Sequence, residues 1–336
     1  METRVFAPDE EGIAAAAEVI RRRGTVAFPT ETVYGLGADA LSARAVARVF
    51  AAKERPRFDP VIVHVAAPDD ADQLWTTIPP QARELMERFW PGPLTLILPR
   101  RRRVPSIVTA GLSTVGVRMP DHPVALGLIR AAGCPIAAPS ANRFGRLSPT
   151  HHDDVLDQLN GRIDGLIAGG ASPVGIESTV VSLADEVPVV LRPGGTPLES
   201  LRECLPDLRM APATGPSASP GTLARHYVPA TPLFLLERGP IPDGSEALER
   251  QACGFLAFRE AWTGFGRVEV LSPSGDLVEA GARFFATIHR LDRVGLSAIV
   301  AEPVPEEGLG VAMMDRLRRA AMGKAYVGEE QVWWAR

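Results

Sequence analysis

The segment Gly24–Gly37, which reads Gly-Thr-Val-Ala-Phe-Pro-Thr-Glu-Thr-Val-Tyr-Gly-Leu-Gly, organises the rest of the chain. Its first residues are mostly apolar or β-branched, and they predict a short buried strand that the proline ends. Thr30 and Thr32 then stand at the mouth of this strand, where α/β sheets bind their ligands. Gly35 and Gly37 allow the backbone to turn or to approach another group closely. The segment therefore predicts an α/β fold with a binding turn.

Two interpretations of the hydroxyls of Thr30 and Thr32 are open. In many turns such hydroxyls only satisfy nearby backbone groups. However, a helix predicted to begin after Ser42 carries Lys53 at its far end. A cation beside a turn rich in hydroxyls suits an anionic ligand. The presence of Lys53 therefore favours the interpretation that the turn binds such a ligand.

The composition is that of an ordinary globular protein. The chain has 336 residues, 46% of them hydrophobic, and a mean hydropathy of +0.04, which allows two domains. Its net charge of -4 argues against a protein that mainly coats nucleic acid. The cysteines Cys134, Cys204 and Cys253 are far apart, which fits a reducing compartment without disulfides. Since we see no signal peptide or spanning segment, we expect a cytoplasmic protein without membrane contact.

Alternating helical and extended patterns predict the domain organisation. Residues 1–200 predict a first α/β domain, and residues 201–232, rich in Pro, Gly and Ser, predict a linker. Residues 233–336 predict a smaller, Rossmann-like α/β domain. This last domain lacks G-x-G-x-x-G, so nothing indicates a dinucleotide site. Among the helix starts, Asp9 is a predicted cap, and Thr150 with Asp153 predicts a capping box.

The predicted strand ends of the first domain carry mainly cations and hydroxyls. Guanidinium groups and hydroxyls match phosphate oxygens, so this set suits a triphosphate, although each cation alone is as well explained as a solvated surface residue. The set comprises Thr30, Thr32, Lys53, Arg55, His64, Thr114, Arg118, Ser140, Asn142, Arg143, Ser148, Ser178 and Arg192.

Several signatures of other enzyme classes are missing from the sequence. There is no P-loop, and Ser140 is not in a G-x-S-x-G nucleophile elbow. The histidines form no H-E-x-x-H motif, and we expect the adjacent His151 and His152 to point in different directions from a helix start. We therefore expect no metal site built by the protein.

Taken together, seven motifs in order resemble the threonylcarbamoyl-AMP synthases with the YrdC-like fold, a twisted mixed sheet flanked by helices. A further motif, Ser219-Pro220-Gly221 with Arg225-His226-Tyr227-x-Pro229, resembles the long, two-domain form of the family. The family resemblance implies that the first domain is catalytic and that the linker of residues 201–232 crosses its active site. The seven motifs are Pro29-Thr-Glu-Thr-Val-Tyr-Gly-Leu-Gly37, Lys53-x-Arg-Pro56, Trp90-Pro-Gly-Pro-Leu-Thr95, Ser113-Thr-Val-Gly-Val-Arg118, Pro139-Ser-Ala-Asn142, Glu177-Ser-Thr-Val180 and Arg192-Pro-Gly194.

This resemblance implies a reaction of three substrates. L-threonine takes up bicarbonate as a carbamate, which attacks the α-phosphate of ATP to give threonylcarbamoyl-AMP and pyrophosphate. A separate tRNA threonylcarbamoyl transferase then modifies the adenosine beside the anticodon. The few carboxylates in the motifs imply magnesium carried with ATP, held by phosphates and water.

The resemblance also implies the roles of individual residues. The family's signature tetrad, which faces the nucleotide phosphates, corresponds to Lys53, Arg55, Ser140 and Asn142, the predicted catalytic residues. The positions that hold threonine correspond to Thr32, His64, Arg118, Ala138 and Ser178. The positions that hold ATP correspond to Arg55, Asp59, Thr114, Ser140, Ser148, Arg192 and Tyr227.

The chain departs from the family pattern at two places. The family often has Asn at the position of Asp59, and a carboxylate there repels phosphates unless it is paired or turned toward magnesium. Thr222-Leu223-Ala224 stands where a Met-Lys-Tyr run is common, which removes a linker cation.

Two other functions remain as alternatives. The first is a protein that binds double-stranded RNA or tRNA without catalysis, with Arg100-Arg101-Arg102-Arg103 in its footprint; the acidic net charge argues against stable tRNA binding. The second is carbamoyl transfer in metalloenzyme maturation, for which additional cysteine motifs of the zinc type are missing.

Overall fold

The computed structural model describes residues 2–56, 58–212 and 225–335, which divide into two compact units. The first unit comprises the described residues up to Phe144 and those from Ser148 to Pro212. The second comprises Gly145–Leu147 and the described residues from Arg225 onward. Within these ranges, every helix is too short or too polar to cross a membrane.

The first unit is built on a mixed sheet of eleven described strands. These are β1 (Arg4–Phe6), β2 (Val26–Phe28), β3 (Gly35–Asp39), β4 (Val63–His64), β5 (Leu94–Pro99), β6 (Thr114–Arg118), β7 (Ile136–Ala137), β8 (Gly165–Ile167), β9 (Thr179–Ser182), β10 (Val189–Arg192) and β11 (Arg209–Met210). Their order is β1-β8-β2-β3-β7-β4-β6-β5-β9-β10-β11. Since β2 runs parallel to β8 and antiparallel to β3, the predicted mixed sheet is confirmed.

Helices cover both faces of this sheet. They are α1 (Glu10–Arg21), α2 (Ala43–Lys53), α3 (Pro80–Phe89), α4 (Pro123–Ala132), α5 (His152–Leu159) and α6 (Leu198–Cys204), with a short 3-10 helix at Pro68–Gln73. Phe28 packs in one cluster with residues of α1 and α4, whereas its neighbour Ala27 packs in another with residues of α2 and α5. Because successive strand residues face opposite sides, the two helix pairs lie on opposite faces of the sheet.

Helix α1 begins at its predicted cap, whereas α5 begins differently from the prediction. The side chain of Asp9 accepts a hydrogen bond from the backbone of Gly12, as predicted. At α5 the predicted capping box of Thr150 and Asp153 is wrong. His151 is the cap, and Asp154 accepts hydrogen bonds from the backbone N–H groups of Thr150 and His151. The segment before α5 therefore stays extended through His151, one residue beyond the predicted cap at Thr150.

The expectation of a turn at Gly35 and Gly37 is also corrected, because both lie in β3, paired with β2. The close approach that glycine permits is confirmed at Gly37. A Cβ atom there would lie 2.5 Å from Cγ2 of Ile136 and 2.6 Å from Cε1 of Phe28. The turn is therefore confined to the residues between β2 and β3, which brings Thr30 and Thr32 to the mouth of a hairpin.

The predicted linker, residues 201–232, begins inside regular structure. Residues of α6 extend to Cys204, and β11 pairs in parallel with β10, so both elements belong to the first unit. Short elements after Gly195 had no strong sequence pattern and were missed. Residues 213–224, with the Ser219-Pro220-Gly221 motif and Thr222-Leu223-Ala224, lie outside the described residues. That the linker crosses a site stays a prediction.

The second unit is a smaller, mostly parallel sheet with two helices, as the predicted α/β domain requires. Its strands are β12 (Leu233–Leu236), β13 (Glu246–Glu249), β14 (Cys253–Ala257), β15 (Arg267–Val270), β16 (Ala298–Ala301), β17 (Lys324–Val327) and β18 (Gln331–Ala335), and its helices are α7 (Leu277–Asp292) and α8 (Leu309–Ala320). A 3-10 turn covers Arg250–Ala252. The order is β13-β18-β17-β12-β16-β14-β15, in which β13, β17 and β18 were not predicted.

Candidate functional site

The ends of two neighbouring parallel strands bring two predicted threonine-site residues together. His64 ends β4 and lies directly opposite Arg118, which ends β6, in the parallel pairing of these strands. On the other side, β7 runs antiparallel to β4, with Ile136 opposite His64. Ala138, which follows β7, therefore lies at the amino end of β4, where its N–H donates to the carbonyl of Ile62 (2.9 Å). The carboxyl ends of β4 and β6 therefore meet at one edge, which is where ligands bind in open α/β sheets.

Arg118 is held on three sides by the protein. Its Nε donates to the carbonyl of Gly92 (3.1 Å), and its Nη1 donates to Oγ1 of Thr32 (2.9 Å). Its Nη2 lies 2.5 Å from Oε1 of Glu31, and both side chains of this ion pair are about 95% buried. The orientation of the guanidinium group is therefore fixed before any ligand binds.

For Thr30 the interpretation as a hydroxyl that satisfies the backbone is confirmed, whereas ligand binding by Thr32 stays a prediction. Oγ1 of Thr30 donates to the carbonyl of Val33 (2.7 Å) and accepts from the backbone N–H groups of Thr32 and Val33, so it stabilises the turn itself. Oγ1 of Thr32 accepts the hydrogen bond from Arg118. The turn thus positions one hydroxyl for its own backbone and the other for the site.

His64 is neutral at pH 7. Burial, with a smaller contribution from the charge of Arg118, lowers its pKa to about 3. Its ring lies edge-on to Phe28, with 6.2 Å between the ring centroids. Hydrogen bonding to the backbone of Ile136 and Ile62 opposes the fall in pKa but does not outweigh it. The imidazole therefore adds no positive charge beside Arg118.

Ser178 joins the predicted threonine and ATP sets. Its Oγ lies 2.8 Å from Oγ1 of Thr95, and Nη2 of Arg192 donates to its carbonyl (2.8 Å) and more weakly to its Oγ (3.3 Å). All three side chains are buried. Ser178 therefore lies beside a cation predicted to contact ATP.

Lys53 connects the end of α2 to the loop after β7. Its Nζ donates to the carbonyls of Ser140 and Asn142, each at 2.5 Å. Lys53 is only 1% exposed. Burial, and then the charge of Arg55, lower its pKa well below 10.5. Three members of the predicted tetrad are thus in direct contact, and Lys53 holds the loop that carries the other two.

Arg55, the fourth member of the tetrad, forms a buried ion pair with Asp59. Nη2 of Arg55 lies 2.8 Å from Oδ2 of Asp59, and the two side chains are 3% and 0% exposed. The same Nη2 donates to the carbonyl of Pro60 (2.8 Å). Burial raises the pKa of Asp59, and the charge of Arg55 opposes this shift. Asp59 is therefore paired with a cation, which is one of the two conditions under which a carboxylate at this position does not repel phosphates.

The remaining predicted ATP residues are placed separately. Oγ of Ser148 donates to Oε1 of Glu177 (2.6 Å), and both residues are buried. Thr114 begins β6, and Arg118 ends it, so their backbones lie about 13 Å apart at about 3.3 Å per residue. Tyr227 belongs to the second unit, where its ring packs against Phe285 with 5.6 Å between centroids.

The expectation that His151 and His152 point in different directions is wrong. Their ring centroids are 4.0 Å apart, and Asp153 lies within 3.2 Å of one and 3.6 Å of the other. His151 caps α5 in an extended conformation, so the angular offset of successive helical residues does not apply to it. In the described part of the chain, these residues could offer three metal-ligating atoms, all within 4.8 Å of one another.

Sequence reasoning missed the carboxylates that accompany the site. Glu31 and Glu177 both lie inside quoted motifs, and both contact predicted site residues. The only signal in the sequence was their place in those motifs, since neither has a cation at helical spacing. Thr95, at the end of the Trp90–Thr95 motif, was missed as the partner of Ser178.

Two family models match successive parts of the chain. The model described as "Telomere recombination" (Sua5_yciO_yrdC) matches residues 18–194. The model described as "Threonylcarbamoyl-AMP synthase, C-terminal domain" (Sua5_C) matches residues 196–322. Together they cover most of both units.

Similar proteins share nearly the whole length of the chain. Threonylcarbamoyl-AMP synthase of Pyrococcus abyssi is 44% identical, with 93% of this chain and 95% of that protein covered. The Bacillus subtilis protein of the same name is 41% identical over 96% of each chain. The crystal structure of P. abyssi Sua5 complexed with L-threonine has a TM-score of 0.86 and 38% identity, covering 98% of this chain and 100% of that one.

Proposed function

The chain belongs to the family of threonylcarbamoyl-AMP synthases, and from this premise we propose how its residues bind and activate three substrates. It is an enzyme of the nucleotidyltransferase type. Its function is the synthesis of threonylcarbamoyl-AMP, for the tRNA modification that the sequence resemblance implies. The proposal concerns the roles of residues, the nucleotide, bicarbonate and magnesium.

The observation that carries the proposal is the fixed guanidinium of Arg118 opposite neutral His64. An arginine fork of known orientation at a strand end suits a carboxylate, which accepts two parallel hydrogen bonds from it. Thr32 accepts a hydrogen bond from Arg118, His64 lies opposite that arginine in the strand pairing, and P. abyssi Sua5 was crystallised with L-threonine. The carboxylate of threonine therefore binds at Arg118.

The phosphates of ATP bind where the other buried cations lie. A carbamate that attacks the α-phosphate brings two anions together, so positive charge must offset their repulsion and the charge that develops toward pyrophosphate. Arg55 and Arg192 are buried, as is Lys53, which holds the Ser140–Asn142 loop. Positioning, without a covalent intermediate on the protein, then accounts for the acceleration.

Magnesium enters with the triphosphate in this proposal. The buried carboxylates that touch site residues already have protein partners: Glu31 with Arg118, Asp59 with Arg55, and Glu177 with Ser148. A dedicated magnesium cage would need several oxygen ligands, whereas phosphates and water supply them without the protein. When bound, the ion neutralises phosphate charge, and the protein residues orient the α-phosphate.

The product is then passed to a tRNA threonylcarbamoyl transferase, which places the reaction in the cytoplasm. The chain itself need not bind tRNA stably. In the alternative function, Arg100–Arg103 bind RNA directly, but Arg100 donates to the carbonyls of Leu112 and Val104, and Arg101 to those of Asp72 and Trp75. The guanidinium groups of Arg100 and Arg101 thus stabilise the local fold.

A turnover assay tests the proposal. Purified protein should release pyrophosphate only when ATP, magnesium, L-threonine and bicarbonate are all present. Lys53→Ala should abolish release, because Lys53 holds the loop of Ser140 and Asn142, whereas Arg102→Ala, a change at an exposed residue, should not. Turnover without threonine would contradict the assignment. RNA binding that falls with salt and survives Lys53→Ala would favour the alternative.

A further inference from the structure

Glu31 is a buried carboxylate that the assigned roles leave unexplained. It lies in the turn between β2 and β3, is 4% exposed, and has no role among the predicted threonine or ATP residues. Burying a carboxylate is costly unless it is paired and hydrogen-bonded. A residue kept at this cost beside a substrate site calls for a functional explanation.

The ion pair with Arg118 satisfies Glu31 only in part. Nη2 of Arg118 lies 2.5 Å from Oε1, yet neither carboxylate oxygen has a hydrogen bond of good geometry within the described residues. A carboxylate offers about four lone-pair positions. Glu31 therefore retains acceptor capacity at the position where Arg118 is available to a ligand.

The neighbouring histidines do not supply a positive charge that could pair with the remaining acceptor positions of Glu31. His64, opposite Arg118, has a pKa lowered to about 3 by burial and by that arginine. His122 is the cap of α4. The charge of Glu31 raises the pKa of His122, but burial has the larger effect and lowers the pKa below 6.5. At pH 7 neither ring supplies a positive charge, and the buried charges beside the candidate threonine position are those of Glu31 and Arg118, with Asp121 a further, exposed carboxylate near His122.

The geometry of an α-amino acid matches such a pair of charges. Its ammonium nitrogen and its carboxylate carbon are bonded to the same atom and lie only about 2.5 Å apart. If the carboxylate binds the fork of Arg118, the ammonium must lie within a few ångströms of it, on a group that accepts hydrogen bonds. Glu31 is the carboxylate already in contact with that arginine.

We propose that Glu31 is a specificity-determining residue that recognises the α-ammonium of threonine while Arg118 binds its carboxylate. The inference rests on the proposed function, because it assumes that threonine binds at Arg118. The pair presents one negative and one positive group to a zwitterion, so it selects α-amino acids against carboxylic acids that lack the amine. None of the five residues of the predicted threonine set carries a negative charge, so Glu31 is the acidic group that contacts this set.

Calorimetric binding of two ligands to the full chain tests this role. One is L-threonine, and the other is its α-hydroxy analogue, in which a hydroxyl replaces the ammonium. The unchanged chain should prefer threonine by about 10- to 100-fold, as expected for a charge-assisted hydrogen bond. In Glu31→Gln this preference should fall to about two-fold or less, mainly through weaker threonine binding.

Two further variants separate recognition from folding. Glu31→Asp keeps the charge, so it should keep the preference for threonine even where both affinities fall. Glu54→Gln alters an exposed carboxylate paired with Arg143 and Arg162 and should bind as the unchanged chain does. A preference that Glu31→Gln leaves unchanged, or that Glu31→Asp loses equally, would overturn the inference while leaving the proposed function standing. Failure of the unchanged chain to bind threonine would overturn both.

Discussion

His64 and Arg118 lie directly opposite each other, at the carboxyl ends of two parallel strands. The imidazole is held neutral by burial and by the nearby guanidinium, with a pKa of about 3. In the unfolded chain a histidine has a pKa of about 6.5. The difference links the protonation of His64 to the stability of the first unit, since the folded state resists a proton that the unfolded state accepts.

Acid should therefore destabilise the protein through His64. Above about pH 6.5 neither state binds the proton, and as the pH falls from there toward 3, the free energy of unfolding drops by up to about 1.4 kcal/mol per pH unit. Urea titrations should show that the unchanged chain loses about 1 kcal/mol more than His64→Gln between about pH 7.5 and 5.5. Parallel losses in the two proteins would contradict this.

The ion pair of Arg55 and Asp59 should matter more to stability than an exposed pair. Asp59→Ala leaves a buried guanidinium without its counter-charge and should lower the free energy of unfolding by about 3 kcal/mol. The control is Glu54→Ala, which removes the exposed partner of both Arg143 and Arg162 and should cost no more than about 1 kcal/mol. Denaturant midpoints measure both, and equal losses would show that burial does not govern these pairs.

Gly37 should not tolerate a side chain. Gly37→Ala places a methyl group 2.5 Å from Ile136 and 2.6 Å from Phe28, so the strand must shift, at about 1–3 kcal/mol. Gly127 in α4 is the matched control, because a Cβ there would lie 3.4 Å from Ile13, at ordinary contact distance. Gly127→Ala should be neutral or stabilising by about 0.5 kcal/mol. Thermal unfolding distinguishes the two, and a harmless Gly37→Ala would refute the close packing.

Thr32 should affect threonine binding more than the chemical step. Thr32→Val removes the hydroxyl that accepts from Nη1 of Arg118 but keeps the side-chain volume, so KM for threonine should rise about 10-fold with kcat less changed. Thr32→Ser should restore most of the loss. Thr76→Val, at an exposed position, is the control. A fall in kcat alone would place Thr32 in another role.

Local sequence signals predicted part of the fold well. The helix α4 runs from Pro123 to Ala132, and local signals mark both of its ends, because a proline opens it and Gly133, in the left-handed conformation, follows it. Strand β3 could not be predicted, since Gly35 and Gly37 weigh against a strand unless Phe28 and Ile136 are known to pack there. Strand β11 has only two residues and exists through its pairing with β10.

The strand-end positions of two candidate site residues were predictable, but their pairings were not. The rule that ligands bind at the ends of strands located His64 and Arg118 without the structure. The pairing of Arg118 with Glu31 depends on two segments far apart in sequence, and no spacing rule reports it. Asp59 and Arg55 are four residues apart but lie beyond the end of α2, so a helical rule does not apply to them.

The two neutralised arginines also have a consequence for how substrates arrive. Arg55 and Arg118 each lie against a carboxylate, so at distances beyond a few ångströms each pair acts as a dipole, whose field decays faster than that of a lone charge. These pairs therefore contribute little to drawing anions in from solution. In the proposed function they act after encounter, by discriminating among molecules that diffusion has already delivered.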